Sequence, residues 1–233
     1  MAIGEWFVAG GVVMIPLVIF SIATVALAAE RFRFWLKVNR RQPRLAKEVV
    51  QLYQQDPALA LEKLQRNLDL PLARIFQAPL QLEQPTPEEF RLAMESEVQA
   101  EVPMMRRFNN VFEAIVGLSP LLGLMGTVLG LITSFGSLNI GDLGGTRTVG
   151  VSAGISEALI STASGLFVAM LALIAATVFR AMYQRQMTLI QEYGGQLELL
   201  YRRHHSQNQP EPLAVNELSA ALQQLVQNHR STR

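Results

Sequence analysis

TVGVSAGISEALISTASGLFVAMLALIAATVF, residues 148–179, contains one charged side chain, Glu157. An α-helix rises 1.5 Å per residue, and roughly 20 apolar residues cross the hydrocarbon core of a bilayer. The stretch is therefore long enough to span a membrane. It lacks the strict polar–apolar alternation of a barrel strand, so the span is a helix. Two further stretches share the property: residues 6–29 and residues 114–141 carry no charge at all. The sequence thus predicts an all-α integral membrane protein with three transmembrane helices.

Composition supports this class. Half of the 233 residues are hydrophobic and 17% are charged, against about a quarter charged in soluble domains. A net charge of +1 gives no basic signal for nucleic acid. With no cysteine, disulfides, thiolate metal sites and cysteine nucleophiles are excluded. His204, His205 and His229 lack metal-ligand spacing and acidic companions and are read as surface residues. No nucleophile–base set, phosphate loop or metal cluster points to an enzyme or a cofactor. A solute carrier would ordinarily show inverted repeats, and three dissimilar spans do not.

The basic residues orient the chain. Thirteen Lys and Arg fall in residues 30–113, six in 180–233, and Arg147 alone in 139–147. The positive-inside rule then places the N-terminus outside, residues 30–113 inside, the 139–147 loop outside and the tail inside. Ala26-Leu27-Ala28 resembles a signal-peptidase site, but Glu5 precedes the apolar run while Arg31, Arg33, Lys37, Arg40 and Arg41 follow it. A secretory signal has the opposite order, so residues 6–29 are expected to remain as the first span. The second and third spans are predicted at 114–138 and 148–180.

The inner segments read as helical. Asp56-Pro57 is a capping residue followed by proline at the first helical position, and Leu59, Leu61, Leu64 and Leu68 follow at mostly helical spacing. Thr86 and Glu89 have the spacing of a capping box, opening a long helix expected to pass by Arg106 and Arg107 into the second span. Pro103 should kink or break it. Residues 30–113 as a whole are predicted to be a solvated helical hairpin. A helical extension is expected over 181–205, then a tail over 206–233 with a polar linker from Ser206 to Pro212 and a short amphipathic helix bearing Leu218, Leu222 and Leu225.

Two features inside the spans are unusual. Ser119, Gly123, Gly126, Thr127, Gly130, Ser134 and Ser137 form a small-residue stripe on the second span. Such faces let helices approach closely in lipid, and their hydroxyls can bond across the contact. The stripe predicts a homo-oligomer held by the second and third spans. Pro120 removes a backbone bond and should bend this helix. Glu157 lies about 14 Å along the third span at 1.5 Å per residue. A charged carboxylate facing lipid there would cost on the order of 2.5–3.5 kcal/mol, so it must face protein or water, or hold a proton. Both a functional and a structural hydrogen-bonding role fit it. Ser161 and Ser164 share its face, while Thr162 points well away, giving the helix two polar edges. One edge would suit a neighbouring subunit and the other a pore or partner.

Residues 120–131, PLLGLMGTVLGL, resemble the second-span signature of the ExbB/TolQ/MotA proton-channel family. Residues 154–166, GISEALISTASGL, resemble its third-span signature. The order, the short outer loop and the three spans resemble the ExbB/TolQ branch rather than the four-span flagellar stator member. The resemblance implies a pentameric ring in a bacterial inner membrane, around helices of a one-span ExbD/TolR-type partner. Proton flow would drive motion passed to a TonB- or TolA-type protein, making the assembly a molecular motor. The family's pore-lining threonines map onto Thr127 and Thr162, and its intramembrane glutamate onto Glu157. Gly123, Gly126, Gly130, Ser134 and Gly165 would pack helices, with Pro120 at a bend. An ExbB-like function in outer-membrane transport, a TolQ-like function in envelope maintenance and, from another class, a passive membrane scaffold are the competing readings. The driving ion, proton or sodium, is fixed only by analogy.

Overall fold

A computed structural model of the chain describes residues 10–136 and 146–208. The described residues form six helices: α1 (Met14–Gln55), α2 (Pro57–Gln65), α3 (Pro71–Leu80), α4 (Pro87–Met105), α5 (Asn109–Gly136) and α6 (Thr146–Asn208). Among the described residues there is no strand. α1, α5 and α6 are long and apolar enough to cross a membrane. Only 17, 28 and 33% of their most apolar windows, respectively, is buried within the chain. Large side chains such as Ile22, Leu121, Leu124, Ile132, Leu159 and Leu173 are more than half exposed. Apolar surface on this scale is stable against lipid or other protein, not against water. The protein is an all-α integral membrane protein.

The chain divides into two compact units, residues 1–41 with 102–188, and residues 42–101 with 189–233. In the first, α5 and α6 run antiparallel, so that Ser134 meets Val151 near one end and Ser119 meets Gly165 towards the other. α1 lies along this pair. Val13, Met14 and Leu17 pack with Leu122, and Phe20 and Ala23 pack against Ile115, Val168 and Ala172. The apolar segments end at one level: Arg107 lies 3.7 Å from Glu30, and Arg180 bonds Glu113 at 2.5 Å.

The first helix departs from expectation at its start. The uncharged run predicts a span from residue 6, but residues 10–13 form a turn in which Gly11 has φ of 70°, and α1 begins at Met14. Residues before 10 lie outside the described ones. A second difference concerns the helix entering the second span. α4 continues through Pro103 and stops at Met105; the break comes at residues 106–108, where Phe108 has φ of 65°. A proline loses one backbone bond and crowds the carbonyl four residues before it, yet the helix can continue past it, whereas a left-handed residue ends one. Pro120, where a bend is expected, lies within α5.

The second unit is built like a soluble helical domain. Asp56 accepts a bond from the Ala58 N–H at 2.8 Å, with Pro57 in the first turn, as the sequence predicts. The Thr86 N–H donates to Glu89 at 2.7 Å and the Glu89 N–H donates back to Thr86 Oγ1 at 3.3 Å, completing the capping box. The Thr86 N–H, and next the Thr86 hydroxyl donating to the same Glu89 oxygen at 2.9 Å, hold the exposed Glu89 carboxyl below its usual range. α2 is shorter than the leucine spacing suggested. Leu64 is buried with Ala60, but Leu59 and Leu68 are exposed. Val49, Tyr53, Leu72, Phe76, Phe90, Ile190 and Leu197 are among its buried side chains, so the expected solvated hairpin is instead a packed core shared with α6. Phe90 stacks on Tyr201 at 4.3 Å, and Arg74 holds Glu101 through two nitrogens, at 2.5 and 2.6 Å. His204 and His205, expected on the surface, are half-buried beside the Tyr53 and Tyr201 rings. α6 continues helically to Asn208, two residues past the start of the expected linker; His229 and the predicted tail helix lie outside the described residues.

Candidate functional site in the paired spans

The small residues of α5 are turned towards α6 of the same chain. Ser119, Gly123, Gly126, Gly130 and Ser134 are all buried. A Cβ on Gly130 would lie 2.7 Å from the Gly154 carbonyl oxygen, and one on Gly165 would lie 2.5 Å from that of Ser119. At Gly123 the neighbours would be Ser161 O and Thr162 Cα, both at 3.1 Å. These are backbone-to-backbone approaches that no longer side chain permits. At Gly126 the overlap would be with the Ser161 side chain instead. From Ser119 to Ser134 the stripe expected to hold subunits together is thus occupied within one chain, and Ser137 lies outside the described residues. The apolar faces of α5 and α6 on the other side carry Leu121, Leu124, Val128, Leu166 and Phe167 to the surface.

Hydroxyls cross the same contact. Thr162 donates to the Gly123 carbonyl at 3.2 Å, and Ser161 reaches that carbonyl at 3.4 Å while donating to Ala158 O at 2.9 Å. Ser134 donates to Val151 O at 3.3 Å. Thr127 donates to Leu124 O within its own helix at 2.6 Å. Each threonine hydroxyl therefore spends its proton on a backbone carbonyl and keeps its oxygen lone pairs available. An oxygen in that state accepts a bond from a protonated species but has no proton of its own left to donate.

Glu157 is placed elsewhere. It precedes Thr162 by five residues, which is about 140° around a helix. Its carboxylate lies against Gly11, where a Cβ would overlap Oε1. The structure therefore brings Thr162 to α5 and Glu157 to the turn before α1, and does not bring the two together. Ser161, expected to share the Glu157 edge, instead lies buried on α5 beside Thr162, both reaching the Gly123 carbonyl, so that Glu157 alone meets the start of α1. Sequence reading missed Gly11, whose left-handed φ and contact with Glu157 both favour glycine. The adjacent pair Gly10-Gly11 inside an apolar run was the available signal. It also missed Gly154, whose Cβ would lie 2.6 Å from Gly130 O.

The profile of the MotA/TolQ/ExbB proton channel family matches residues 67–192. The chain is 51% identical over 208 residues to "Putative biopolymer transport protein ExbB-like 3" of Synechocystis sp., covering 89% of this chain and 99% of that protein. It is 40% identical over 208 residues to "Putative biopolymer transport protein ExbB-like 1" of the same organism, with 88 and 82% covered. To "Biopolymer transport protein ExbB" of Salmonella typhimurium it is 29% identical over 201 residues, with 82 and 81% covered. The matched region contains the whole of α5 and all of the apolar stretch 148–179 of α6. This protein belongs to the MotA/TolQ/ExbB proton channel family, as an ExbB-like member.

Proposed function

We propose that the chain is the proton-channel subunit of an energy-transducing motor of the bacterial inner membrane, coupling the proton motive force to outer-membrane transport through a TonB-type protein. The observation that carries this reading is the Thr162 hydroxyl seated on the Gly123 carbonyl, with Thr127 one turn further along α5. The Thr162 oxygen lies in the contact of α5 with α6, together with the Ser134 and Ser161 hydroxyls, and the Thr127 oxygen lies on α5, bonded to Leu124 O. In the assembled protein, identical subunits would form a ring, a pentamer, around the helices of a one-span ExbD/TolR-type partner. A carboxylate on that partner would carry the proton past Thr127 and Thr162, since hydroxyls alone hold no charge. Relatives named for biopolymer transport favour the ExbB-like reading over the TolQ-like one.

The decisive measurement is proton flux in liposomes. The chain with a one-span partner should dissipate a pH gradient, and the chain alone should not. Equal flux with and without the partner would remove the role of the partner's carboxylate. No flux in either case would favour the passive scaffold.

The proposed orientation has residues 30–113 and 180–233 inside and the loop at 139–147 outside. Ser137→Cys or Asn139→Cys should react with an impermeant thiol reagent in intact spheroplasts. Gln84→Cys and Ser206→Cys, both at exposed positions, should react only after permeabilisation. Labelling of position 84 from outside would invert the topology.

A further inference from the structure

Where the three apolar segments end, the first unit holds a cavity of about 230 Å³ lined by Arg31, Arg106, Arg107 and Arg180, with Asn109 and Tyr183 beside them. Four guanidinium groups are met by two carboxylates. Glu30 lies 3.7 Å from Arg107, and Glu113 lies 2.5 Å from Arg180. Arg106 meets no carboxylate among the described residues; its contact is the Tyr183 ring, 5.7 Å from the guanidinium carbon. The cluster therefore keeps about two uncompensated positive charges, and like charges this close repel unless an anion sits among them.

The cavity is a built feature. Arg31 is only 4% exposed, yet its side chain is fixed. It donates to Met104 O at 3.3 Å and to Met105 O, and lies over the Phe34 and Trp35 rings. Those two carbonyls are the last of α4, so Arg31 anchors the corner at which that helix stops. The corner then turns through Phe108 at φ of 65°, an unusual conformation for an aromatic residue, and this sets Arg106 and Arg107 immediately before α5. One wall is apolar, formed by Phe112 and Phe179. Beyond it, towards the membrane, Val111, Leu118 and Val178 are each more than 40% exposed.

We propose that this cavity binds a phosphate-bearing anion, with the headgroup of an anionic phospholipid as its source. The guanidinium fork matches phosphate oxygens bidentately, and a negative group of one or two charges balances the excess. Two observations favour a lipid over a soluble phosphate. The site lies at the level where the spans leave the hydrocarbon, and exposed apolar side chains continue from it along α5 and α6, where acyl chains would lie. The seated headgroup would tie α1, the α4–α5 corner and α6 together at the membrane boundary.

The test uses the purified full-length chain, washed free of lipid in detergent. Dioctanoyl phosphatidylglycerol, dioctanoyl phosphatidylcholine and sodium phosphate are titrated separately, with melting temperature and lipid retained in native mass spectrometry as readouts. The anionic lipid should raise the melting temperature and be retained, and the zwitterionic one should do so more weakly. Arg106→Gln should weaken binding about fivefold and Arg106→Gln with Arg107→Gln about thirtyfold. Arg106→Lys keeps the charge and should bind within a few-fold of wild type, and Arg91→Gln, on the exposed side of α4, should leave binding unchanged. Because Arg106 is exposed and pairs with no acid among the described residues, the single change should fold even if the double one does not. Stabilisation by phosphate alone, lost in Arg106→Gln, would support the site and assign it to a soluble anion. Binding unaltered by Arg106→Gln, or no response to any of the three probes, would overturn the proposal.

Discussion

Gly165→Ala should lower the melting temperature of the purified protein by roughly 5–10 °C, taking overpacking of a close helix contact at about 2–3 kcal/mol. The new Cβ would stand 2.5 Å from Ser119 O and 3.0 Å from Gly123 Cα, and neither is a side chain that can rotate away. The helices must separate, and separation also lengthens the Thr162-to-Gly123 bond that lies beside the contact. Gly130→Ala should behave alike, because it meets Gly154 O at 2.7 Å. Gly126→Ala should be milder, since its obstacle is the Ser161 side chain, which has other rotamers. Gly117→Ala and Gly136→Ala meet nothing within 4 Å among the described residues and should be neutral or slightly stabilising. The ranking matters more than any single value. If Gly165→Ala melted with wild type while Gly117→Ala did not, the antiparallel register of α5 and α6 would be wrong.

That ranking was not legible in the sequence, although the fold was. Long uncharged runs reveal spans because the bilayer imposes one requirement, length, on every crossing helix. The capping box at Thr86 and the cap at Asp56 were equally readable, being local bonds between residues a few positions apart. Partner assignment is different in kind. A stripe such as Gly126-xxx-Gly130-xxx-Ser134 states that some helix comes close, and nothing in it distinguishes a helix of the same chain from one of a second copy. The identity of the neighbour depends on loop length and on which face α1 covers, and these are decided by packing far away in sequence. The same holds for the break before the second span. Pro103 was the conspicuous residue, yet the chain turns at Phe108, where Arg31, more than seventy residues earlier, binds the two carbonyls at the end of α4.

The threonine and glutamate positions make opposite predictions under the two roles open to them. Thr127→Val and Thr162→Val keep side-chain shape and remove the oxygen acceptors, at about 1–1.5 kcal/mol for a hydrogen bond lost. If those oxygens solvate the moving proton or the partner's carboxylate in the transition state for passage, the double change should cut partner-dependent flux about tenfold or more. The complex should still assemble, because the backbone contacts at Gly123 and Gly165 remain. Glu157 sits against Gly11 and away from Thr162, which favours a structural part in fixing the turn before α1. Glu157→Gln keeps size and most hydrogen bonding and should be damaging but less so than Glu157→Ala, which leaves the turn unsupported. Gly11→Ala should resemble Glu157→Ala, since it displaces the carboxylate and also strains a backbone at φ of 70°. A proton relay through Glu157 gives another pattern: Gln and Ala fail equally in flux, with assembly and melting temperature unchanged. Wild-type flux from a complete assembly carrying valine at both threonine positions would take the ion path away from the α5–α6 seam. The seam would then be a helix contact and nothing more.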